Sequence, residues 1–96
     1  MVIVVSYDVA TVERAGRRRL RRVARACEDF GQRVQKSVFE CDLGDKEWAE
    51  LRGRLLDEYE PEEDSLRFYY LGEDARRRTE HHGTNPSRDF GDALVV

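Results

Sequence analysis

A mixed α+β domain, one antiparallel sheet backed by two helices, is predicted for this 96-residue chain. Three observations predict it. Runs rich in β-branched and aromatic residues stand at Val2–Tyr7, Arg33–Cys41 and Ser65–Leu71, and such residues suit a pleated, half-buried surface. Apolar residues recur at three- and four-residue spacing over about residues 12–30 and 46–59, the pattern of a helix that buries one stripe. Turn-forming residues separate these segments, with no internal repeat or low-complexity tract.

The first strand, Val2 to Tyr7, runs directly into Asp8. A strand buried on both faces has no reason to end in a carboxylate unless its tip meets water, a cation or a partner chain. Thr11 is the expected N-cap of a helix from about Val12 to Phe30, with Gly31 as its left-handed C-terminal cap. Gly16, Leu20, Val23, Ala24, Cys27 and Phe30 form that helix's apolar stripe. Arg14, Arg18, Arg21, Arg22 and Arg25 fall on the opposite side, with Arg17 and Arg19 flanking. Like charges at this spacing repel by a few tenths of a kcal/mol per pair, so the helix gives up some stability to display them. Arg33 to Cys41 reads as two short strands meeting near Gln35 to Ser37, or as one irregular long strand. Asp45 is placed to cap a helix from Lys46 to Tyr59, whose Trp48, Leu51, Leu55 and Tyr59 share a face and which Pro61 ends. Ser65 to Leu71 is the last strong strand, closed by Gly72. Beyond it lie a basic run, Arg76 to Arg78, the pair His81 and His82, and an apolar Ala93 to Val96 that reads as a strand with no place in a small sheet.

The order β, α, β, β, α, β matches the ferredoxin-like split βαβ arrangement. With helices on one side only, the other side of the sheet would expose apolar surface, Tyr69 and Tyr70 among it. A homodimer packing sheet against sheet, with the tail strand exchanged between copies, covers that face and gives the orphan strand a partner. Residues 1–83 are thus expected to form the domain, and 84–96 a tail that pairs with the dimer partner.

Net charge is −3, but the charge is segregated. Residues 1–39 hold nine basic against four acidic side chains, residues 40–64 three against eleven, and the remainder is balanced. One face can therefore attract phosphate while another repels it; the acidic block from Glu40 to Asp64 reads as a surface turned away from nucleic acid, as a docking surface for a basic partner, or simply as solvated charge. Cys27 and Cys41 are expected to be reduced core residues in a cytoplasmic protein. The opening apolar run stops at Asp8 and lacks a basic leader, so no membrane span is expected.

Three blocks together carry a family resemblance: Val2-Ile-Val-Val-Ser-Tyr-Asp-Val9, Arg33-Val-Gln-Lys-Ser-Val-Phe-Glu40 and Asp64-Ser-Leu-Arg-Phe-Tyr-Tyr-Leu-Gly72. In this order and at this length the chain resembles the CRISPR-associated Cas-two family, small core adaptation proteins described as endoribonucleases and integration scaffolds. The resemblance implies a ferredoxin-like homodimer that binds a divalent metal, usually Mg2+, through Asp8. It also implies a CRISPR-associated integrase and duplex DNA as partners, and an additional strand near Arg76 to Gly83.

One carboxylate holds a cation weakly, but two Asp8 side chains meeting across a two-fold axis would repel, and a divalent cation between them removes that penalty. Magnesium, or manganese in its place, suits such a site because it retains waters and needs only one or two carboxylates. Asp8 is accordingly the candidate metal ligand and the leading candidate for phosphodiester hydrolysis; a plain turn or helix-terminus acid is the alternative. Around it, Arg33 is a candidate phosphate clamp, Phe39 a base-stacking or core ring, and Tyr7 and Ser37 candidate donors to water or phosphate. Arg14, Arg18, Arg21 and Arg25 are the candidate nucleic-acid contacts, for duplex DNA or single-stranded RNA. His81 and His82 are adjacent and would point apart in a strand, which is poor geometry for zinc. The candidate functions are a metal-dependent endonuclease of CRISPR spacer acquisition and, alternatively, a non-catalytic homodimeric DNA-binding scaffold for the integrase. A toxin-like ribonuclease is a more remote possibility.

Overall fold

A computed structural model describes residues 1–84 of the chain. The elements are β1 (Val2–Asp8), α1 (Arg14–Phe30), β2 (Gln32–Gln35), β3 (Val38–Asp42), α2 (Asp45–Glu58) and β4 (Ser65–Leu71). The strands form one antiparallel sheet in the order β2-β3-β1-β4, which is the ferredoxin-like arrangement. Central β1 pairs with β3 from Val2↔Asp42 to Ser6↔Val38 and with β4 from Val2↔Leu71 to Asp8↔Ser65. The tip of β1 is thus clamped between two neighbours almost to its last residue.

Strand periodicity decides what that tip displays. Ile3, Val5 and Tyr7 are buried in a core with Val23, Cys27, Phe39, Leu51 and Leu55, whereas Ser6 is half-buried and Asp8 exposed. Cys27 and Cys41 are free and buried. Burial pushes their thiols up to about 12 and about 11, so both behave as apolar fillers and not as nucleophiles.

The helix ends differ from the sequence expectation, and tertiary contacts explain why. Helix α1 starts at Arg14 behind Glu13, not at Val12 behind Thr11. The Arg17 guanidinium donates to the Thr11 and Val12 carbonyls at 3.1 and 3.0 Å, which holds both residues out of the helix. Gly31 is extended (φ −152°, ψ −167°), not left-handed. Its need for glycine is steric, because a Cβ there would strike Cys41 Sγ and come within 2.7 Å of the Glu40 carbonyl oxygen. Helix α2 has Gly44 at its N-cap, and Asp45 and Glu47 lie in the first turn, where the helix dipole favours them. The span Arg33 to Cys41 is two strands, turning at Lys36–Ser37.

Gly16 lets the chain after Asp8 lie against α1. A Cβ at this position would collide with the Ala10 carbonyl oxygen and sit 2.9 Å from its carbon. Gly16→Ala is expected to lower stability by about 2 kcal/mol, overpacking outweighing the ~1 kcal/mol gain in helix propensity. Urea unfolding checks this; an unchanged midpoint would mean that the loop can retreat at no cost.

The open face of the sheet carries Val4, Tyr69 (46% exposed) and Leu71 (39%). Tyr70 faces the other way and packs edge-on against Trp48, with ring centroids 5.8 Å apart. The strand expected near Arg76 to Gly83 is replaced by hydrogen-bonded turns over Gly72–Thr79, with Ala75 buried and Arg76 donating to Asp42 at 2.6 Å. His82 meets Glu80 at 3.0 Å, and no cluster of three potential metal ligands occurs among the described residues. The exchanged tail strand, Ala93 to Val96 included, falls outside the described residues. Among those residues no helix is long and apolar enough to cross a membrane.

Candidate phosphodiester site

The end of β1 opens into a hollow of about 690 Å³ whose walls include Tyr7, Asp8, Arg21, Arg33, Lys36 and Ser37. Residues from β1, α1 and the β2–β3 turn thus converge on one carboxylate. Asp8 makes no side-chain hydrogen bond or ion pair with any other described residue, and it is the last residue of β1, six residues ahead of the start of α1. Its charge is uncommitted.

The groups around it are more occupied. The Tyr7 hydroxyl donates to the Lys36 carbonyl at 3.3 Å, and the Tyr7 amide donates to the Ser37 carbonyl at 3.1 Å. Burial raises the Tyr7 phenol's pKa, with Arg33 partly offsetting it, so the group stays a protonated donor at neutral pH. Arg33 donates to the same Lys36 carbonyl at 2.5 Å, meets Glu28 at 3.4 Å and lies 4.8 Å over the Phe39 ring. Phe39 itself is completely buried. A ring with no exposed surface cannot stack on a base, so the base-stacking role considered for it gives way to core packing. It forms the floor on which Tyr7 and Arg33 rest. Because Tyr7 is only 5% exposed, neither of these two aromatics offers a base-stacking platform; what the hollow presents is charge suited to a sugar–phosphate backbone.

Arg14, Arg18, Arg21 and Arg25 are all exposed and, at helical spacing, lie along one side of α1. Arg25 approaches Asp29 at 4.0 Å; the other three have no ion-pair partner among the described residues. Arg21 belongs both to this row and to the wall of the Asp8 hollow, joining the two candidate regions. The charges of α1 oppose its dipole. No acid lies in its first turn and no base in its last, where Glu28 and Asp29 stand instead. Each such placement forgoes about 0.3–1 kcal/mol of helix stabilisation.

Two residues escape a sequence reading. Lys36 lies beside Ser37 in the turn and lines the hollow; a firmer boundary at Gln35–Ser37 would have marked it. Asp64 closes the acidic block, yet its side chain is fully buried. It accepts from Arg19 at 2.8 and 3.2 Å, from the Ala10 amide at 3.1 Å and from the Glu60 amide at 2.8 Å. Asp64 is therefore the anchor of the segment that follows Asp8, and not part of a solvated acidic surface.

Residues 1–79 match the family model described as CRISPR associated protein Cas2. The chain belongs to the Cas2 family. A Chlorobaculum tepidum protein named CRISPR-associated endoribonuclease Cas2 is 50% identical over 96 residues, covering all of both chains. A Halalkalibacterium halodurans protein named CRISPR-associated endonuclease Cas2 is 43% identical over 95 residues, or 99% of each. Among solved structures, Streptococcus pyogenes Cas2 at pH 6.5 superposes with a TM-score of 0.75 at 48% identity, covering 86% of this chain and 100% of that one. The antiparallel sheet on two helices is thus the Cas2 architecture, with Asp8 at the tip of its central strand.

Proposed function

We propose that this chain is a metal-dependent endonuclease of CRISPR spacer acquisition, cutting RNA or DNA phosphodiesters at Asp8 and holding duplex DNA together with the CRISPR-associated integrase. The observation that carries this reading is an exposed, uncommitted carboxylate in a hollow whose wall also holds Arg21, Arg33 and Lys36. Relatives named endoribonuclease and endonuclease support it. One carboxylate per chain suits Mg2+ or Mn2+ when two chains share the ion, and the apolar open face around Tyr69 and Leu71 suits a homodimer. Such an ion would polarise the phosphodiester and lower the pKa of bound water. The chain's own contribution is to fix the acid at a clamped strand tip and to attract phosphate with the surrounding cations.

A second reading is the non-catalytic scaffold, in which the dimer spaces integrase units along DNA. It is favoured by the lack of a second acid or a histidine among the residues that line the hollow. Metal removal separates the two. Cleavage of single-stranded RNA or duplex DNA by the native protein should stop on chelation and return with Mg2+ or Mn2+; no cleavage under any of these conditions leaves the scaffold. Duplex affinity measured against salt tests the arginine row in both readings. Contact with about six to eight phosphates across a dimer gives a slope of about −5 to −7. A slope near zero, or a monomeric mass at micromolar protein, would remove the composite surface.

A further inference from the structure

Lys36 and Ser37 are the two residues of the β2–β3 turn, and three bonds from the candidate residues converge on their backbone. The Lys36 carbonyl accepts from both the Tyr7 hydroxyl and Arg33, and the Ser37 carbonyl accepts from the Tyr7 amide. Tyr7 immediately precedes Asp8 in β1, so the turn is fastened to the strand at the residue beside the acid. Arg33 spends its guanidinium on this fastening, on Glu28 and on the Phe39 ring. The Lys36 side chain, by contrast, has no hydrogen-bond or ion-pair partner among the described residues, and Lys36 is one of the residues that line the hollow of Asp8. Lys36 and Asp8 share that hollow without forming an ion pair, so neither charge is neutralised by the other.

We propose that Lys36 is a phosphate-contacting cation of the Asp8 hollow, and that Tyr7 and Arg33 are positioning residues that act on substrate through the turn carrying it. The inference rests on the reading of this hollow as a backbone-phosphate site and specifies how the phosphate is held. A lysine is a compact point charge with rotatable donors and takes a single non-bridging oxygen in many orientations. A sequence-tolerant site needs that property more than a bidentate fork. With Tyr7 and Arg33 engaged on the turn backbone, replacing either should misalign the ammonium while leaving its charge at the site.

The test uses the full-length protein and compares native, Lys36→Gln, Lys36→Arg and Arg33→Gln. The affinity of a labelled single-stranded oligonucleotide is measured against salt, and steady-state cleavage is followed with Mg2+. Lys36→Gln should weaken binding about fivefold and flatten the salt slope by about 0.7 per site occupied on single strands. It should raise KM more than it lowers kcat, and Lys36→Arg should restore most of both effects. Arg33→Gln should lower kcat while leaving the salt slope near native. The opposite pattern, a native slope in Lys36→Gln with a flattened one in Arg33→Gln, would overturn the proposal and make Arg33 the clamp. If the native protein binds but does not cleave, the endonuclease reading fails, and the salt slopes alone still decide the role of Lys36.

Discussion

Asp8→Asn is expected to fold normally and to lose metal-dependent cleavage by about 100-fold or more. Substituting residues that merely support metal ligands commonly costs 10–100-fold, so removing the one carboxylate that lines the hollow among the described residues should cost at least about the upper figure. The fold should not suffer. Asp8 is exposed and has no side-chain partner among the described residues, and surface changes of that kind stay within about 0.5 kcal/mol. In a dimer that brings the tips together, the variant should even gain stability without metal, because two facing carboxylates repel by up to about 4 kcal/mol at ~4 Å and an effective dielectric of 20. Adding Mg2+ should then raise the melting temperature of the native protein and leave that of the variant unchanged. Native cleavage by Asp8→Asn, with an unaltered metal requirement, would remove Asp8 from the chemistry.

Asp64→Ala is expected to destabilise the protein by about 2–3 kcal/mol, below the range for one partner of a fully buried ion pair because the pair is only partly buried. The substitution leaves Arg19 with its weaker contact to Glu63 at 3.8 Å and the Ala10 and Glu60 amides without their acceptor. The Arg19 fork, chiefly, and these amides hold the Asp64 carboxyl below its usual pKa. The sign follows from that direction. A carboxyl whose pKa is lower in the folded state contributes its full stabilisation above its unfolded pKa, about 3.9, and loses it as pH falls through the lower folded value. Native protein should therefore lose stability on acidification below about pH 4, and Asp64→Asn should show a flatter acid limb. Urea unfolding at a series of pH values measures both. Matching acid limbs in the two proteins would mean that Asp64 is not the titrating anchor.

β1 was legible as a strand from its β-branched run, and the carboxylate closing that run marked its tip; the two-residue alternation that turns Ile3, Val5 and Tyr7 inward and leaves Asp8 exposed came only with the structure, because a run apolar at every position reads as buried on both faces. The two helices and β4 followed from periodicity and turn residues, and β4 agrees residue for residue. The helix starts did not, because the Arg17 contacts that hold Thr11 and Val12 out of α1 depend on where a flexible side chain folds back. Gly31 looked like a left-handed cap because local rules know nothing of Cys41 across the sheet. Asp8, Tyr7, Arg33 and Ser37, all singled out from the sequence, line one hollow. Phe39 was ambiguous because motif position does not report burial. Asp64 was hidden in a run of exposed acids, and only its place directly ahead of a strand set it apart.

The inverted charge pattern of α1 has a thermodynamic consequence. Arginines near the amino end and acids near the carboxyl end work against the helix's own peptide dipoles, so the ligand-free molecule rests above the energy minimum open to it. A polyanion laid along Arg14 to Arg25 supplies the missing countercharge, and the exposed amide dipoles at that end then pull in the same direction as the side chains. If nucleic acid binds there as proposed, it would be a late-arriving piece of the helix's electrostatics, and its binding and the firmness of the fold would be linked quantities.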